Sequence, residues 1–146
     1  MDDWSLELRA VYEDLPDMIE LETRGVAGEW SARSRAYASP DFLGADAEGL
    51  IAWARNPQGK FHLDAGEDTG IGWLVFEFYT VDSAGHARCA VTLATGGTSL
   101  GARPAETWRF AIEMKTELGL IEHFGRECIL LGQDYSGTAR LSGLPI

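Results

Sequence analysis

The chain has 146 residues, of which 45% are hydrophobic and 24% are charged, a composition typical of a folded globular protein and not of a disordered one. Its 23 acidic residues against 12 basic residues give a formal net charge of −11 at pH 7. Such a surface repels the phosphates of nucleic acids and anionic lipid headgroups, so neither nucleic acid nor membrane is an expected partner, whereas a basic protein is attracted.

The opening residues, MDDWSLELRA, have neither a basic segment nor a continuous apolar one, and no later segment reaches the roughly 18 apolar residues of a membrane span. We therefore expect a cytoplasmic protein. The length predicts a single domain over residues 1–146. Cys89 and Cys128 are too few and too far apart for a disulfide framework, and we expect both to be reduced core residues.

Three segments near the start alternate between apolar and polar residues, which is typical of strands covered on one face only. They lie at about 6–10, 19–22 and 28–39. If the third segment pairs with the second, Arg33 and Arg35 lie across the sheet from Glu20 and Glu22, and each opposite-charge pair adds roughly 0.2–1 kcal/mol. The sequence predicts an antiparallel meander here.

Residues 39–59 break this alternation. Ser39, Pro40 and Asp41 resemble the capped start of a helical turn, and Leu50 and Trp53 belong to an apolar face that ends before Asn56-Pro57. The pattern predicts one short helix near residues 46–55.

Strands resume at 60–65, 71–81, 86–95 and 107–115, and DSAG joins the middle two as a hairpin. The segment 71–81 is apolar on both faces, which predicts a strand inside the sheet that is covered on both sides. The loop at 96–106 has part of the glycine spacing of a phosphate loop, but Ala102 and Arg103 replace its lysine and hydroxyl residue, so we interpret it as a connection.

After residue 116 the apolar spacing changes from two to three or four, which indicates an amphipathic helix near 117–131. Thr116 is its expected N-cap and Gly132 its expected C-terminal stop. Residues 133–146 form either an extended tail or a last edge strand. The predicted fold is α+β: a single domain with a mainly antiparallel twisted sheet of about six to eight strands, a short helix near 46–55, and the C-terminal helix packed on the sheet.

Catalytic and metal-binding patterns are missing from the sequence. His62, His86 and His123 stand apart without a second ligand at metal spacing, and there is no nucleophile elbow. Glu67 and Asp68 lack the alternating spacing of a calcium loop. We therefore predict a protein that is not an enzyme and that has no metal or cofactor.

Three segments carry a family likeness: the helix AEGLIAWARN, the hairpin WLVFEFYTVDSAGHARCAVTL and the closing WRFAIEMKTELGLIEHF. Their order resembles that of the WapI-type immunity proteins that accompany bacterial polymorphic toxins, and also that of a family of similar length without known function. This resemblance implies a cytoplasmic protein that binds and blocks a cognate toxin domain, often a nuclease. A basic nuclease surface would be met here by acidic residues.

Charge density gives the candidate contact residues for such a partner. They are Glu13, Asp14, Asp17, Glu20 and Glu22, followed by Asp2, Asp3, Glu67 and Asp68. Two alternatives remain open: another interaction or self-assembling protein, a homodimer included, that uses an exposed tryptophan as an anchor, or a small-molecule-binding domain with a pocket under the C-terminal helix.

Overall fold

A computed structural model of the chain describes residues 4–14, 18–66, 72–95 and 108–145, and at Tyr12, Glu13, Asp14 and Thr95 it describes the backbone alone. These residues form an α+β fold of eight strands and two α-helices, as predicted from the sequence. In chain order the elements are β1 (Trp4–Asp14), β2 (Met18–Ala27), β3 (Trp30–Ala38), a 3₁₀ helix (Pro40–Leu43), α1 (Ala45–Arg55), β4 (Phe61–Gly66), β5 (Gly72–Thr80), β6 (His86–Thr95), β7 (Arg109–Glu117), α2 (Leu118–Asp134) and β8 (Ala139–Ser142).

The eight strands form two antiparallel sheets of four strands each, where the sequence pattern predicted one mainly antiparallel sheet. The first sheet has the order β3-β2-β1-β8 and the second has the order β4-β5-β6-β7. The predicted meander is therefore three strands of the first sheet, and the chain end supplies its fourth strand, since β8 pairs with β1. Of the two alternatives for residues 133–146, the edge strand is the one observed.

Alternation in each strand places apolar side chains on one face of each sheet, and these inner faces build the core with the helices. In the first sheet Leu6, Leu8 and Leu21 are completely buried, and in the second sheet Leu74, Phe76 and Phe78 are too. The two sheets also meet through hydrogen bonds: the Ser34 hydroxyl donates to the Ala94 carbonyl at 3.0 Å, and the Leu144 amide donates to the Lys115 carbonyl at 2.8 Å.

The helices pack on the inner face of β5. The Phe76 ring meets those of Phe42 and Phe124 edge-on, with centroids 6.4 Å apart in each pair. Trp53 of α1 packs against Phe78 in a tilted arrangement, also at 6.4 Å. Aromatic pairs of this geometry add stability beyond the apolar area that they bury.

Ser39 caps the 3₁₀ helix as predicted, since its hydroxyl accepts a hydrogen bond from the Asp41 amide at 3.2 Å. The expected ends of α2 are wrong. Thr116 lies buried in β7, where its hydroxyl donates to the Ser142 carbonyl, and Glu117 occupies the N-cap position without a side-chain cap. The helix also continues through Gly132 and ends at Tyr135, whose φ of 59° is left-handed.

Gly132 has a packing role in place of the predicted stop. A Cβ at this position would lie 2.8 Å from both Cβ and the carbonyl oxygen of Leu43, closer than such atoms approach one another. The glycine therefore lets α2 pass close to the 3₁₀ helix.

The sequence predicted that β5 is covered on both faces. Its inner face is buried, and its outer face is only partly covered. There the side chains of Trp73 and Tyr79 are half-buried. The guanidinium carbon of Arg109 lies 5.2 Å from the centre of the Trp73 ring, and Lys60 Nζ lies 5.4 Å from that of Tyr79. Basic side chains thus shield these rings, with the added attraction of a cation for a ring face.

Candidate functional site

The outer face of the first sheet carries a concentration of arginines in a strongly acidic protein. Successive side chains of a strand point to opposite faces of its sheet, so every second residue of each strand, and the residues paired with it on the neighbouring strands, lie on this face. Among the side chains that the structure describes, it presents five arginines and three glutamates: Arg9, Arg24, Arg33, Arg35, Arg140, Glu7, Glu20 and Glu22. We call these eight residues the arginine face.

Glu22 lies at the centre of the arginine face, and its side chain is only 6% exposed. Arg9 reaches its carboxylate from β1, with Nε 2.9 Å and Nη2 2.7 Å from Oε1. Arg35 donates from β3 through Nε to Oε2 at 3.2 Å, and Arg33 Nε lies 3.9 Å from Oε1. The cross-strand pairing predicted between the arginines and Glu22 is present, and it joins three strands.

The environment of Glu22 shifts its pKa in a definite direction. Burial of the carboxylate alone would raise its pKa, but the hydrogen bonds from Arg9 and Arg35 and the charges of Arg9 and Arg33 outweigh burial, and the pKa is lowered from its ordinary value. Glu22 is therefore ionised at neutral pH and holds the guanidinium groups in place.

The guanidinium groups around Glu22 remain accessible to solvent. The side chains of Arg9, Arg33 and Arg35 are 54%, 62% and 56% exposed. A guanidinium has five N–H donors, so each of these arginines retains donors that Glu22 does not use. Arg24 forms no ion pair with any residue that the structure describes.

A shallow depression of about 270 Å³ lies over this part of the arginine face. Its lining residues are Glu7, Leu8, Arg9, Glu22, Arg24, Arg33 and Thr138. A second depression of about 260 Å³ also has Thr138 in its wall and extends along the end of α2, where the Leu130 side chain is 61% exposed. Thr138 thus connects the arginines to an exposed apolar residue.

The acidic residues predicted from charge density occupy different positions. Glu13 and Asp14 end β1 and pair in register with Ile19 and Met18, so they lie at the same end of the sheet as Glu20. Glu20 is half-buried and has Arg35 Nη1 at 3.9 Å from its Oε1. Asp2, Asp3, Asp17, Glu67 and Asp68 lie outside the described residues.

A second group of carboxylates surrounds the start of α1. Asp41 on the 3₁₀ helix, Asp46 and Glu48 in the first turn of α1, and Asp64 on β4 are all exposed. Partial burial raises the pKa of Asp46, and the charges of Asp41 and Asp64 raise it further. We call these four residues the α1 acidic cluster. The sequence pattern did not predict it, because only the fold brings Asp64 of β4 near Asp41 and Asp46.

The nucleophilic and metal-ligating residues do not converge on one site within the described part of the chain. Cys89 and Cys128 are buried free thiols, and burial raises the pKa of each thiol, which keeps them protonated and unreactive. The described histidines lie on β4, β6 and α2: His62 lies between Asp64 and Glu77, His86 beside Asp82, and His123 beside Glu127. No group of three or more metal-ligating side chains occurs among the residues that the structure describes.

Tryptophan exposure varies along the chain. Trp30, at the start of β3, is 77% exposed, whereas Trp53 is 7% exposed and belongs to the core. Among the described residues, no helix has the length and apolar character that crossing a membrane requires.

Comparison of the chain with models of protein families, with characterised proteins and with solved structures gave no significant match. The functional assignment therefore rests on the surface described above and on the sequence pattern.

Proposed function

We propose that the protein is a non-enzymatic binding protein of the cytoplasm that neutralises a cognate basic toxin domain by forming a stoichiometric complex with it. The observation that carries this proposal is the separation of charge on the surface. The arginine face has a net charge of +2 among its eight residues, in a chain whose net charge is −11. All other residues together therefore carry −13.

The α1 acidic cluster is the part of that remaining surface with the clearest local evidence of unbalanced charge. Burial is the largest cause of the raised pKa of Asp46, and repulsion from the carboxylates of Asp41 and Asp64 raises it further. No described basic side chain lies within ion-pair distance of Asp41, Asp46 or Glu48. A basic partner that docked here would relieve this repulsion.

The end of the β1–β2 hairpin is the second part of the proposed contact surface, with Glu13, Asp14 and Glu20 as its described members. We place Glu22 outside the contact surface because its carboxylate lies beneath arginines. In the proposed complex Glu22 maintains the sheet and the other carboxylates meet the partner.

The physical advantage of an acidic surface is greatest for a toxin that grips phosphates. Such a toxin presents a basic surface, and complementary charge both steers the encounter and covers the groups that its substrate needs. The resemblance to WapI-type immunity proteins supports the same reading.

Co-expression with toxin domains encoded beside its gene tests the proposal. We expect rescue of growth by one of them and a one-to-one complex in isothermal titration calorimetry. The triple variant Asp41→Asn, Asp46→Asn, Asp64→Asn should slow association by about tenfold at low salt.

The matched control is Glu29→Gln, Glu113→Gln, Glu117→Gln, which removes the same charge from exposed positions elsewhere. If the control slows association as much as the cluster variant does, net charge alone acts and the docking surface is wrong. If none of the neighbouring toxin domains binds, the proposed function is wrong.

Self-assembly is a second candidate because Trp30 is so exposed. An exposed large aromatic residue on an edge strand is a typical anchor for another protein surface. Sedimentation velocity over a range of concentrations tests this candidate: a concentration-dependent dimer that Trp30→Ser abolishes would support it, and a monomer at all concentrations would contradict it.

A further inference from the structure

The arginine face has the opposite sign to the surface proposed to meet a basic partner, so it calls for a ligand of different chemistry. We propose that the depression over Arg9, Arg24 and Arg33 binds a carboxylate side chain of an acidic protein segment, and that an apolar side chain of the same segment packs on Leu130. This proposal is independent of toxin neutralisation.

The arginines of the depression have hydrogen-bond donors available to a ligand. Glu22 orients Arg9 from below through contacts of 2.7 and 2.9 Å, while more than half of that arginine side chain stays exposed. Arg24 lines the depression without an ion pair to any described residue. Guanidinium groups bind carboxylates with two parallel hydrogen bonds, and a fixed guanidinium loses less freedom on binding than a mobile one.

The charge of the lining residues limits the charge of the ligand that the depression can bind. Three arginines and two glutamates line it, which leaves a single net positive charge. Glu7 and Glu22 would repel a dianionic phosphate about twice as strongly as a singly charged carboxylate, since the repulsion is proportional to the charge of the ligand. A single carboxylate matches the site best.

An exposed apolar residue lies in the depression next to the arginines. The two depressions meet at Thr138, and the second one carries the exposed Leu130. Since a surface leucine beside a charged groove contributes apolar area to a bound chain, the two depressions together favour a segment that combines acidic and apolar residues.

The probe for this site is a short fluorescein-labelled peptide of alternating glutamate and leucine, with binding followed by fluorescence anisotropy. Arg24→Gln, Arg33→Gln should weaken binding by about tenfold, because two charge-assisted contacts are lost. Leu130→Ser should weaken it by a smaller factor. A peptide with glutamine in place of glutamate should bind no better to the wild-type protein than to the double variant.

A matched control comes from the second sheet. Arg88 and Lys115 lie opposite one another on β6 and β7, as Arg24 and Arg33 do on β2 and β3. Arg88→Gln, Lys115→Gln therefore removes the same charge from another cross-strand pair and should leave peptide affinity within about twofold. Circular dichroism melting curves verify that both double variants are folded.

Four results would overturn the proposal. The glutamine peptide could bind as tightly as the glutamate peptide, or the two double variants could weaken binding equally. Inorganic phosphate could displace the peptide at lower concentration than free glutamate does, which would make the site a phosphate site. Finally, the protein without peptide could dimerise in sedimentation equilibrium, with Arg24→Gln, Arg33→Gln abolishing the dimer, which would make a second copy the occupant.

Discussion

Glu22 and Arg35 lie directly opposite one another on β2 and β3, and Arg35 Nε lies 3.2 Å from Glu22 Oε2. On the other side of β2, Arg9 of β1 lies opposite the same glutamate and holds its second oxygen. One carboxylate therefore ties together three neighbouring strands on a face that is otherwise open. Its removal would leave the surrounding guanidinium groups to repel one another.

Glu22→Gln should lower the free energy of unfolding by about 2 kcal/mol, because charge-assisted hydrogen bonds are lost and the arginines lose their counter-charge. Urea denaturation measures this change. Glu20→Gln is the control, since its contact with Arg35 is 3.9 Å long, and it should cost less than about 0.5 kcal/mol. Equal losses in the two variants would show that Glu22 does not organise the arginine face.

The lowered pKa of Glu22 also predicts how stability depends on pH. A carboxyl group whose pKa is lower in the folded state contributes stability above its unfolded pKa, here near 4.5, and loses it as the pH falls through the folded pKa. The wild-type protein should thus lose more unfolding free energy between about pH 6 and pH 3 than Glu22→Gln does. Parallel curves for the two proteins would contradict this assignment.

The charge of Asp64 contributes to the raised pKa of Asp46. Asp64→Asn should therefore move the pKa of Asp46 downward, towards its ordinary value of 3.8, which NMR titration of the side-chain carboxyl carbon measures. Glu113→Gln, on the second sheet, should leave it unchanged. If Asp64→Asn left the pKa of Asp46 unchanged, burial and the charge of Asp41 would account for the shift, and Asp64 would not belong to the α1 acidic cluster.

Two glycines of α2 should respond in opposite ways to the same substitution. Gly119→Ala meets no atom within 4 Å and should stabilise the protein by up to about 1 kcal/mol through helix propensity. Gly132→Ala should destabilise it by about 1–3 kcal/mol, because the new methyl group would overlap Leu43. Thermal unfolding of the two variants distinguishes these effects, and a stabilising Gly132→Ala would show that the contact with Leu43 relaxes freely.

Local patterns in the sequence predicted most of the elements because the causes of those elements are local. Alternation of Leu21 with Glu20 and Glu22 defines β2, and the change of spacing after Thr116 defines the start of α2 within two residues. The division into two sheets has no such local cause. Consecutive strands β3 and β4 do not pair, and each lies at the edge of its own sheet. The first sheet is completed by β8, which pairs with β1 from the far end of the chain, and a four-residue strand gives little pattern to detect.

The candidate site was predictable in part. The position of Arg35 opposite Glu22 follows from alternation once two strands are paired. The convergence of Arg9 from a third strand, and the connection through Thr138 to Leu130, depend on the register of β1 and on the turn before β8, which residue types alone do not determine. The role of Gly132 was mistaken for the same reason, since its neighbour Leu43 is distant in sequence.

The most direct test of the central claim is the rate constant for association with a toxin domain encoded beside the gene, measured as ionic strength is raised. If unbalanced carboxylates form the docking surface, the association rate should fall steeply with salt while the dissociation rate changes little. An association rate that stays constant with salt, in a complex that nevertheless forms, would contradict the claim that acidic charge guides this protein to its partner.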